Sequence, residues 1–253
     1  MLKNGNSLTT VGIYLRNVRT IYHKAIKTGA APPALYPFGS AKDDKYEIPT
    51  GRNIKKALHL KEVELIVNYQ AVQGSTEHQY RDYWLFSYLC NGINVKDISR
   101  LKYSNIEGDI MVITRAKTER ENRHKPRPIT IVIVEMTKKI IDRWGNKPVS
   151  PDQYIFPILT KGMTPLQEYA AILQTTSMIN RYIGRVAVAV GISQKVTTYT
   201  ARHSYATVLK RSNASTEFIG EALGHASLPT TENYLADFET DEKRKWAAKL
   251  TDF

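Results

Sequence analysis

The sequence predicts a mainly helical protein with a small antiparallel β-sheet, an α+β fold. Four stretches have the apolar spacing of helices: 11–25, 60–72, 78–89 and 165–190. Two runs rich in β-branched residues, 109–117 and 127–134, flank a charged loop and predict the two strands of a hairpin. No run approaches the roughly 18 apolar residues that a membrane span needs.

The net charge of +12 and the isoelectric point of about 9.6 are the most informative features of the composition. Such an excess of Lys and Arg favours a polyanionic partner, and without a membrane segment that partner is most simply nucleic acid. Ribosomal and other merely basic proteins share this charge, so charge alone does not establish nucleic-acid binding.

Cysteine and histidine usage excludes two kinds of site. Cys90 is the only cysteine, which excludes a disulfide framework and a Cys-based metal site. The six His are scattered without a metal-ligand spacing such as H-E-x-x-H, so we predict no metal and no cofactor. The N-terminus lacks a secretory apolar region, and with a single cysteine we expect a protein of the reducing cytoplasm.

The chain is expected to contain one sizeable domain and a smaller piece. The first stretch has a single helical pattern, which Thr9 or Thr10 is expected to cap, and the next is rich in Pro, Gly and charge. The predicted organisation is a helix at 1–29, a linker at 30–53, the main domain at 54–239 and an amphipathic tail helix at 240–253.

Shorter elements complete the central region. Asn91 and Gly92 tolerate a left-handed backbone and are expected to end the helix over 78–89. Residues 134–145 predict another helix, and 154–159 predict a short strand or turn.

The stretch 198–234 contains the residues with the clearest chemical purpose. A tyrosine hydroxyl that attacks a phosphodiester adds negative charge to the non-bridging oxygens, and fixed cationic or N–H donors stabilise that charge best. Arg202 offers a planar two-pronged donor, and His225 offers a ring nitrogen. Tyr234, nine residues after His225, is the candidate nucleophile, and a phenol with a pKa near 10 needs such neighbours.

These residues resemble the C-terminal active-site box of the tyrosine recombinases, the phage-integrase family, whose pattern is roughly H-x-x-R-H, L-G-H and T-T-x-x-Y. The matching positions here are Tyr199, Arg202, His203, Leu223-Gly224-His225, Thr230-Thr231 and Tyr234. Tyr199 stands where the family usually has His or Lys; a phenol donates a hydrogen bond but shuttles protons poorly near pH 7, so its catalytic role is left open. For His203 we favour packing of the helix against the core over contact with phosphate.

Residues 92–106, GINVKDISRLKYSNI, resemble the first active-site box of that family, T-G-L-R-x-x-E-x-x-x-L-x-W-x-D-I. Asp97 falls on the acid of the box, and Asn94 falls where the family carries its first catalytic arginine. Asn gives one neutral hydrogen bond and cannot supply a charge-assisted fork.

The predicted hairpin suggests a replacement for that arginine. Lys117 corresponds to the hairpin lysine of the family, which implies that it is the general acid for the departing 5′ oxygen. Arg115 lies two residues earlier, on the same face of a strand, and we hypothesise that it supplies the missing charge. A backbone-phosphate contact or an edge-strand charge is the alternative role for Arg115. Arg100 is a weaker candidate for the replacement.

Three further cations in the hairpin loop are Arg120, Arg123 and Lys125. We favour a role in gripping DNA phosphates over simple solvation.

The resemblance implies conservative site-specific strand exchange on double-stranded DNA, for integration or excision of a mobile element. Tyr234 would form a 3′-phosphotyrosyl link without metal or ATP. The assembly that the resemblance implies is a homotetramer on two synapsed sites, and a DNA-bending accessory protein is a further expected partner. Residues 1–29 resemble the last helix of the family's core-binding (SAM-like) domain, so we expect the sequence to be part of a longer protein. Whether the tail packs on its own domain or on a neighbouring subunit is left open.

Two other functions are compatible with these residues. A type IB topoisomerase uses similar chemistry to relax supercoils, and a DNA-binding protein that retains the fold without activity would explain Asn94 and Tyr199. The Leu-Gly-His box and the helix that resembles part of a core-binding domain favour the recombinase over the topoisomerase. Joint retention of Arg202, Lys117 and His225 with the tyrosine argues against a protein without activity.

Overall fold

The structure is a computed structural model of the 253-residue chain, and it describes residues 5–50, 57–116, 128–225, 227–232, 235, 244 and 247–249. The chain divides into two compact units, Met1–Ile54 and Lys55–Phe253. Assignment of the first unit to a core-binding domain stays a prediction.

The first unit is built on one long helix, α1, Leu8–Lys27. Its N-cap is Ser7, whose hydroxyl accepts a hydrogen bond from the Thr10 N–H at 3.2 Å, so the predicted cap at Thr9 or Thr10 is wrong. The stretch after α1 forms two short 3₁₀ turns, Pro33–Leu35 and Ala41–Asp43.

The stretch after α1 packs back on that helix. The hydroxyl of Tyr36 lies 2.8 Å from Nε2 of His23, and the Tyr36 ring packs edge-on against Tyr22. Gly12 of α1 lies so close to the Pro49 carbonyl that a Cβ would clash with it. This segment therefore has little regular structure but defined contacts.

The second unit is mainly helical, and the predicted fold class is confirmed. In the described part of this unit, the helices are α2 Leu60–Asn68, α3 Thr76–Leu89, α4 Val95–Arg100, α5 Glu135–Trp144, α6 Pro165–Ala189, α7 Thr198–Arg211, α8 Thr216–Leu223 and α9 Leu228–Glu232. The predicted helix over 60–72 ends early, because the carbonyl of Tyr69 turns away to accept a hydrogen bond from the buried Arg81.

One antiparallel sheet of three strands lies beside these helices, in the order β1 Ile106–Glu107, β2 Ile110–Ile113 and β3 Ile129–Val132. Met111 pairs with Ile131 and Ile113 with Ile129, and these four side chains are buried. Their neighbours along the strands face solvent, which is the alternation that the β-branched runs predict. Both predicted strands are present but shorter than expected, and β1 was not predicted.

The core of the second unit surrounds α3. Trp84 and Phe86 of this helix are fully buried, and the Trp84 indole N–H donates to the Thr197 carbonyl at 2.9 Å, just before α7. A buried carboxylate, Asp82, accepts hydrogen bonds from Arg143 and Trp144 at the end of α5. Packing and these polar contacts hold α5 and the start of α7 against α3. None of the helices in the described part of the chain combines the length and the apolar character that a membrane crossing requires.

Candidate active site

Arg202 lies on the first turns of α7 and is held by two backbone carbonyls. Its side chain is 2% exposed, with Nη1 donating to the Gly92 carbonyl at 3.0 Å and Nη2 to the Leu223 carbonyl at 2.6 Å. Gly92 has a positive φ of 61°, and a Cβ there would lie 2.7 Å from Cα of Arg202. Only glycine permits this approach, so the turn after α3 fixes the position of Arg202.

Arg115 reaches the same carbonyl from the other side. It lies two residues beyond β2, is 7% exposed, and donates from Nη1 to the Leu223 carbonyl at 2.9 Å. Gly224 makes room for it: φ is +64° there, and a Cβ would lie 2.9 Å from Cδ of Arg115 and 2.5 Å from Cδ1 of Ile129. The two guanidinium groups therefore converge on one oxygen at the end of α8.

Two buried guanidinium groups that share a neutral acceptor repel each other, and an anion between them would remove that repulsion. In the described part of the chain Arg115 forms no ion pair, and its buried Nε has no hydrogen-bond partner. A donor left in this state is costly unless a ligand accepts from it. The arrangement is thus suited to an anionic ligand such as a phosphodiester.

His225 completes the group. Its Nε2 lies 3.2 Å from Nη2 of Arg202, its Nδ1 lies 3.0 Å from the hydroxyl of Thr231, and its backbone N–H donates to the Gly220 carbonyl at 2.9 Å. The αL residue Gly224 ends α8 and turns the chain so that the following histidine faces Arg202.

Tyr199 and Asn94 occupy less enclosed positions. Tyr199 is 63% exposed at the start of α7, and its ring centroid lies 6.1 Å from that of the half-buried His203. Asn94 is the N-cap residue of α4, but its side chain makes no capping hydrogen bond. Arg100 forms an ion pair of 3.2 Å with Glu168 of α6. Roles for these residues in catalysis stay predictions.

Five predicted site residues lie outside the described residues: Lys117, Arg120, Arg123, Lys125 and Tyr234. Described residues border two of them. The N–H of Ala116, next to Lys117, donates to Oδ1 of the buried Asp97 at 2.9 Å. Leu235, next to Tyr234, donates from its N–H to the Thr231 carbonyl at 3.1 Å.

Tyr205 is a partly buried phenol close to Arg202, and its environment argues against a nucleophilic role. Burial raises the pKa of Tyr205 to about 12, and its hydroxyl donates to Oδ1 of Asn91 at 2.9 Å. The side-chain amide of Asn91 donates in turn to the Thr130 carbonyl of β3. This pair links α7 to the turn after α3 and to the sheet.

Sequence reasoning assigned no role to Thr231, Gly220 or the Leu223 carbonyl, although all three surround the site. Thr231 belongs to the T-T-x-x-Y motif, and this membership was the available signal. The carbonyl could not be found from sequence, because its function depends on backbone geometry and not on residue type.

The sequence of the chain is similar to a known protein family and to two curated relatives. Residues 56–240 match the model of the phage integrase family. The chain is 29% identical over 163 residues to the tyrosine recombinase XerH of Campylobacter jejuni, covering 63% of this chain and 41% of the relative. It is 25% identical over 159 residues to a tyrosine recombinase of Pseudothermotoga lettingae, covering 61% of this chain and 49% of the relative. The chain thus spans about half the length of these two curated relatives.

Solved structures share the fold. The Tn1549 transposon integrase in complex with transposon right end DNA superposes with a TM-score of 0.65 at 17% identity, covering 99% of this chain and 82% of that one. A lambda integrase dimer bound to a COC′ core site gives a TM-score of 0.61 at 18% identity, and the match covers 94% of this chain and 79% of the lambda chain.

Proposed function

The chain belongs to the phage integrase family, and from this premise we propose that it is a tyrosine-type site-specific recombinase. It cuts and rejoins DNA through a 3′-phosphotyrosine intermediate, in the service of integration or excision of a mobile element. The observation that carries the proposal is the convergence of Arg115 and Arg202 on the Leu223 carbonyl, beside His225.

The two arginines fit the charge that develops during phosphoryl transfer. Each guanidinium carries a permanent charge and presents several N–H donors in a plane, which suits two oxygens of a phosphodiester. Both are buried and oriented before substrate arrives, so little reorganisation accompanies the increase of charge in the transition state. Arg115 in this arrangement supplies the second charge that Asn94 cannot.

The reaction needs no external energy source. The phenolic oxygen of Tyr234 forms a bond to phosphorus and its proton passes to water, while the bond from phosphorus to the 5′ oxygen breaks. Lys117 donates a proton to that oxygen, which leaves as a hydroxyl. A 5′ hydroxyl from a partner strand then attacks the phosphotyrosine and regenerates Tyr234. The number of phosphoester bonds is unchanged, so ATP is not required.

Double-stranded DNA is the proposed partner. The net charge of +12 supplies non-specific attraction to phosphate, and the fold neighbours from the Tn1549 transposon and from lambda are in complexes with DNA. Exchange between two duplexes cuts four strands, and with one nucleophile per chain we propose four protomers on two sites.

The test is covalent trapping on nicked duplexes, in which cleavage releases a short downstream fragment that carries the free 5′ hydroxyl, so that religation is prevented. Because the target DNA sequence is not identified, the probe is a pool of duplexes with randomised sequence around the nick. The protein–DNA adduct is isolated on a denaturing gel, and its DNA is sequenced. We expect an adduct with the wild-type chain and with Tyr46→Phe, an exposed tyrosine of the first unit, but not with Tyr234→Phe.

Two outcomes would overturn the proposal. DNA binding without any adduct would favour a DNA-binding protein that lacks activity, the alternative that Asn94 suggests. Adduct formation with relaxation of a supercoiled plasmid at many unrelated sequences would favour a topoisomerase.

A further inference from the structure

The hydroxyl of Thr231 lies beside Nδ1 of His225, in a space that Gly220 leaves open. Thr231 is 1% exposed, and its Oγ1 is 3.0 Å from Nδ1 of His225. On the other side lies Gly220 of α8, where a Cβ would approach the same oxygen to 2.8 Å. Any larger residue at Gly220 would displace the hydroxyl. The helices α8 and α9 thus leave room for a hydroxyl group next to Nδ1 of His225.

The contacts of His225 define where its ring carries a proton. A guanidinium has donors and no acceptor, so the 3.2 Å contact with Nη2 of Arg202 requires a lone pair on Nε2 of His225. A neutral imidazole with a lone pair on Nε2 carries its proton on Nδ1. The hydroxyl of Thr231 accepts that proton in a hydrogen bond. The network thus assigns the Nδ1–H tautomer to the DNA-free protein.

In this tautomer Nε2 of His225 has a lone pair and no proton, so it cannot donate a hydrogen bond to a phosphate oxygen. For Nε2 of His225 to donate to a phosphodiester oxygen that also accepts from Arg202, this nitrogen needs a proton of its own. A hydroxyl is the side-chain group best able to accommodate both states, because it accepts from Nδ1–H in one and donates to the Nδ1 lone pair in the other. A methyl group at the same place could do neither.

We propose that Thr231 is a positioning residue that orients His225 and lets its ring change from hydrogen-bond acceptor to donor when phosphate binds. On binding, the ring loses the Nδ1 proton to water and gains a proton at Nε2 from water, so its charge does not change. The hydroxyl of Thr231 reverses and donates to Nδ1. Water has access for this exchange, since His225 is only half-buried. The catalytic part of the inference rests on the proposed function; the tautomer of the DNA-free protein does not.

The first test measures the tautomer directly by long-range ¹H–¹⁵N correlation spectra of the DNA-free chain, with the His225 signals identified by their loss in His225→Gln. We expect Nδ1–H in the wild type and in Thr231→Ser, and a shift toward Nε2–H in Thr231→Val, which has the same shape but no hydroxyl. An Nε2–H ring in the wild type, or an unchanged ring in Thr231→Val, would overturn the proposal whatever the activity of the protein.

The second test measures the rate of adduct formation on a trapped duplex. We expect Thr231→Val to slow it by about tenfold or more, the effect of one misplaced hydrogen bond at a site of reaction, and Thr231→Ser to restore most of it. Thr207→Val is the matched control, because Thr207 is buried on α7 and its hydroxyl has no hydrogen-bond partner in the described part of the chain. Equal rates for Thr231→Val and Thr207→Val would refute the positioning role, while a wild type without any adduct would refute the proposed function alone.

Discussion

Arg115 and Arg202 donate to one and the same oxygen, the carbonyl of Leu223, at 2.9 and 2.6 Å. The chain separates Arg115 from Leu223 by 108 residues and Arg202 from Leu223 by 21. A single backbone atom thus sets the spacing of two permanent charges.

Removal of Arg115 should slow DNA cleavage strongly. Arg115→Ala is expected to lower the rate of adduct formation by about 10²- to 10³-fold, as loss of one fixed donor to a developing anion does. Arg115→Lys keeps the positive charge but loses the planar pair of donors, so its rate of adduct formation should lie between those of the wild type and Arg115→Ala. Arg100→Ala is the control. It removes an arginine from a partly exposed ion pair with Glu168, and its rate of adduct formation should stay near that of the wild type. Full activity of Arg115→Ala would return Arg115 to the alternative role of a backbone-phosphate contact.

Restoring an arginine at position 94 should compensate for loss of Arg115. Asn94 lies two residues after Gly92, whose carbonyl accepts from Arg202, so we expect a guanidinium placed there to reach the same anion site. We expect Asn94→Arg to raise the adduct rate of Arg115→Ala by at least about tenfold. In the wild-type background the same change should give no gain. Equal effects in both backgrounds would show that the two positions act independently.

Gly224→Ala should destabilise the fold and disable the site together. A Cβ would enter space occupied by Arg115 and Ile129, in addition to the strain of a positive φ. Gly108→Ala is a matched control, because Gly108 has a φ of +63° with nothing within 4 Å of the added carbon. We expect a loss of about 1 kcal/mol in the free energy of unfolding for Gly108→Ala and about 2 kcal/mol more for Gly224→Ala, measured by denaturant titration. Similar losses in the two variants would contradict the close packing of Arg115 on Gly224.

Stability should fall as the pH drops below 6.5, in part through His78. Burial lowers the pKa of His78 from its ordinary value of 6.5, and Arg81 and Arg143 lower it further, against the opposing effect of Asp82. The unfolded chain therefore binds a proton at His78 more readily than the native chain, and the free energy of unfolding declines from pH 6.5 down to the lower native pKa. His78→Gln should flatten this decline, whereas His23→Gln, at an exposed position, should not. An identical pH profile for His78→Gln and wild type would exclude this contribution.

Local pattern was sufficient to predict much of the fold. The helices α3, α5 and α6 and the paired strands β2 and β3 were predicted from the spacing of their apolar residues. The helices α5 and α6 and both strands bury one face, whereas α3 is buried at every position from 81 to 87. The short helix α4 and the strand β1 escaped notice, since six and two residues leave too little pattern to detect.

The site was predictable only in part, for a physical reason. The types of Arg202, His225 and Arg115 indicated phosphate chemistry, and the structure brings these three side chains together. That Arg115 replaces an arginine at position 94 stays a hypothesis. The catalytic role itself stays a prediction. The partners that hold these side chains are the Gly92 and Leu223 carbonyls and the Thr231 hydroxyl, and tertiary structure alone brings them into contact.

The dependence on the Leu223 carbonyl also has a consequence for the chain during its synthesis. A ribosome makes both arginines before it makes Leu223, so a nascent or prematurely terminated chain carries the full charge of the site without the atom that gathers it. Such a chain is attracted to DNA by charge but has no preformed place for a scissile phosphate. The arrangement of the two guanidinium groups is therefore complete only when α8 has been made and its Leu223 carbonyl accepts from both arginines.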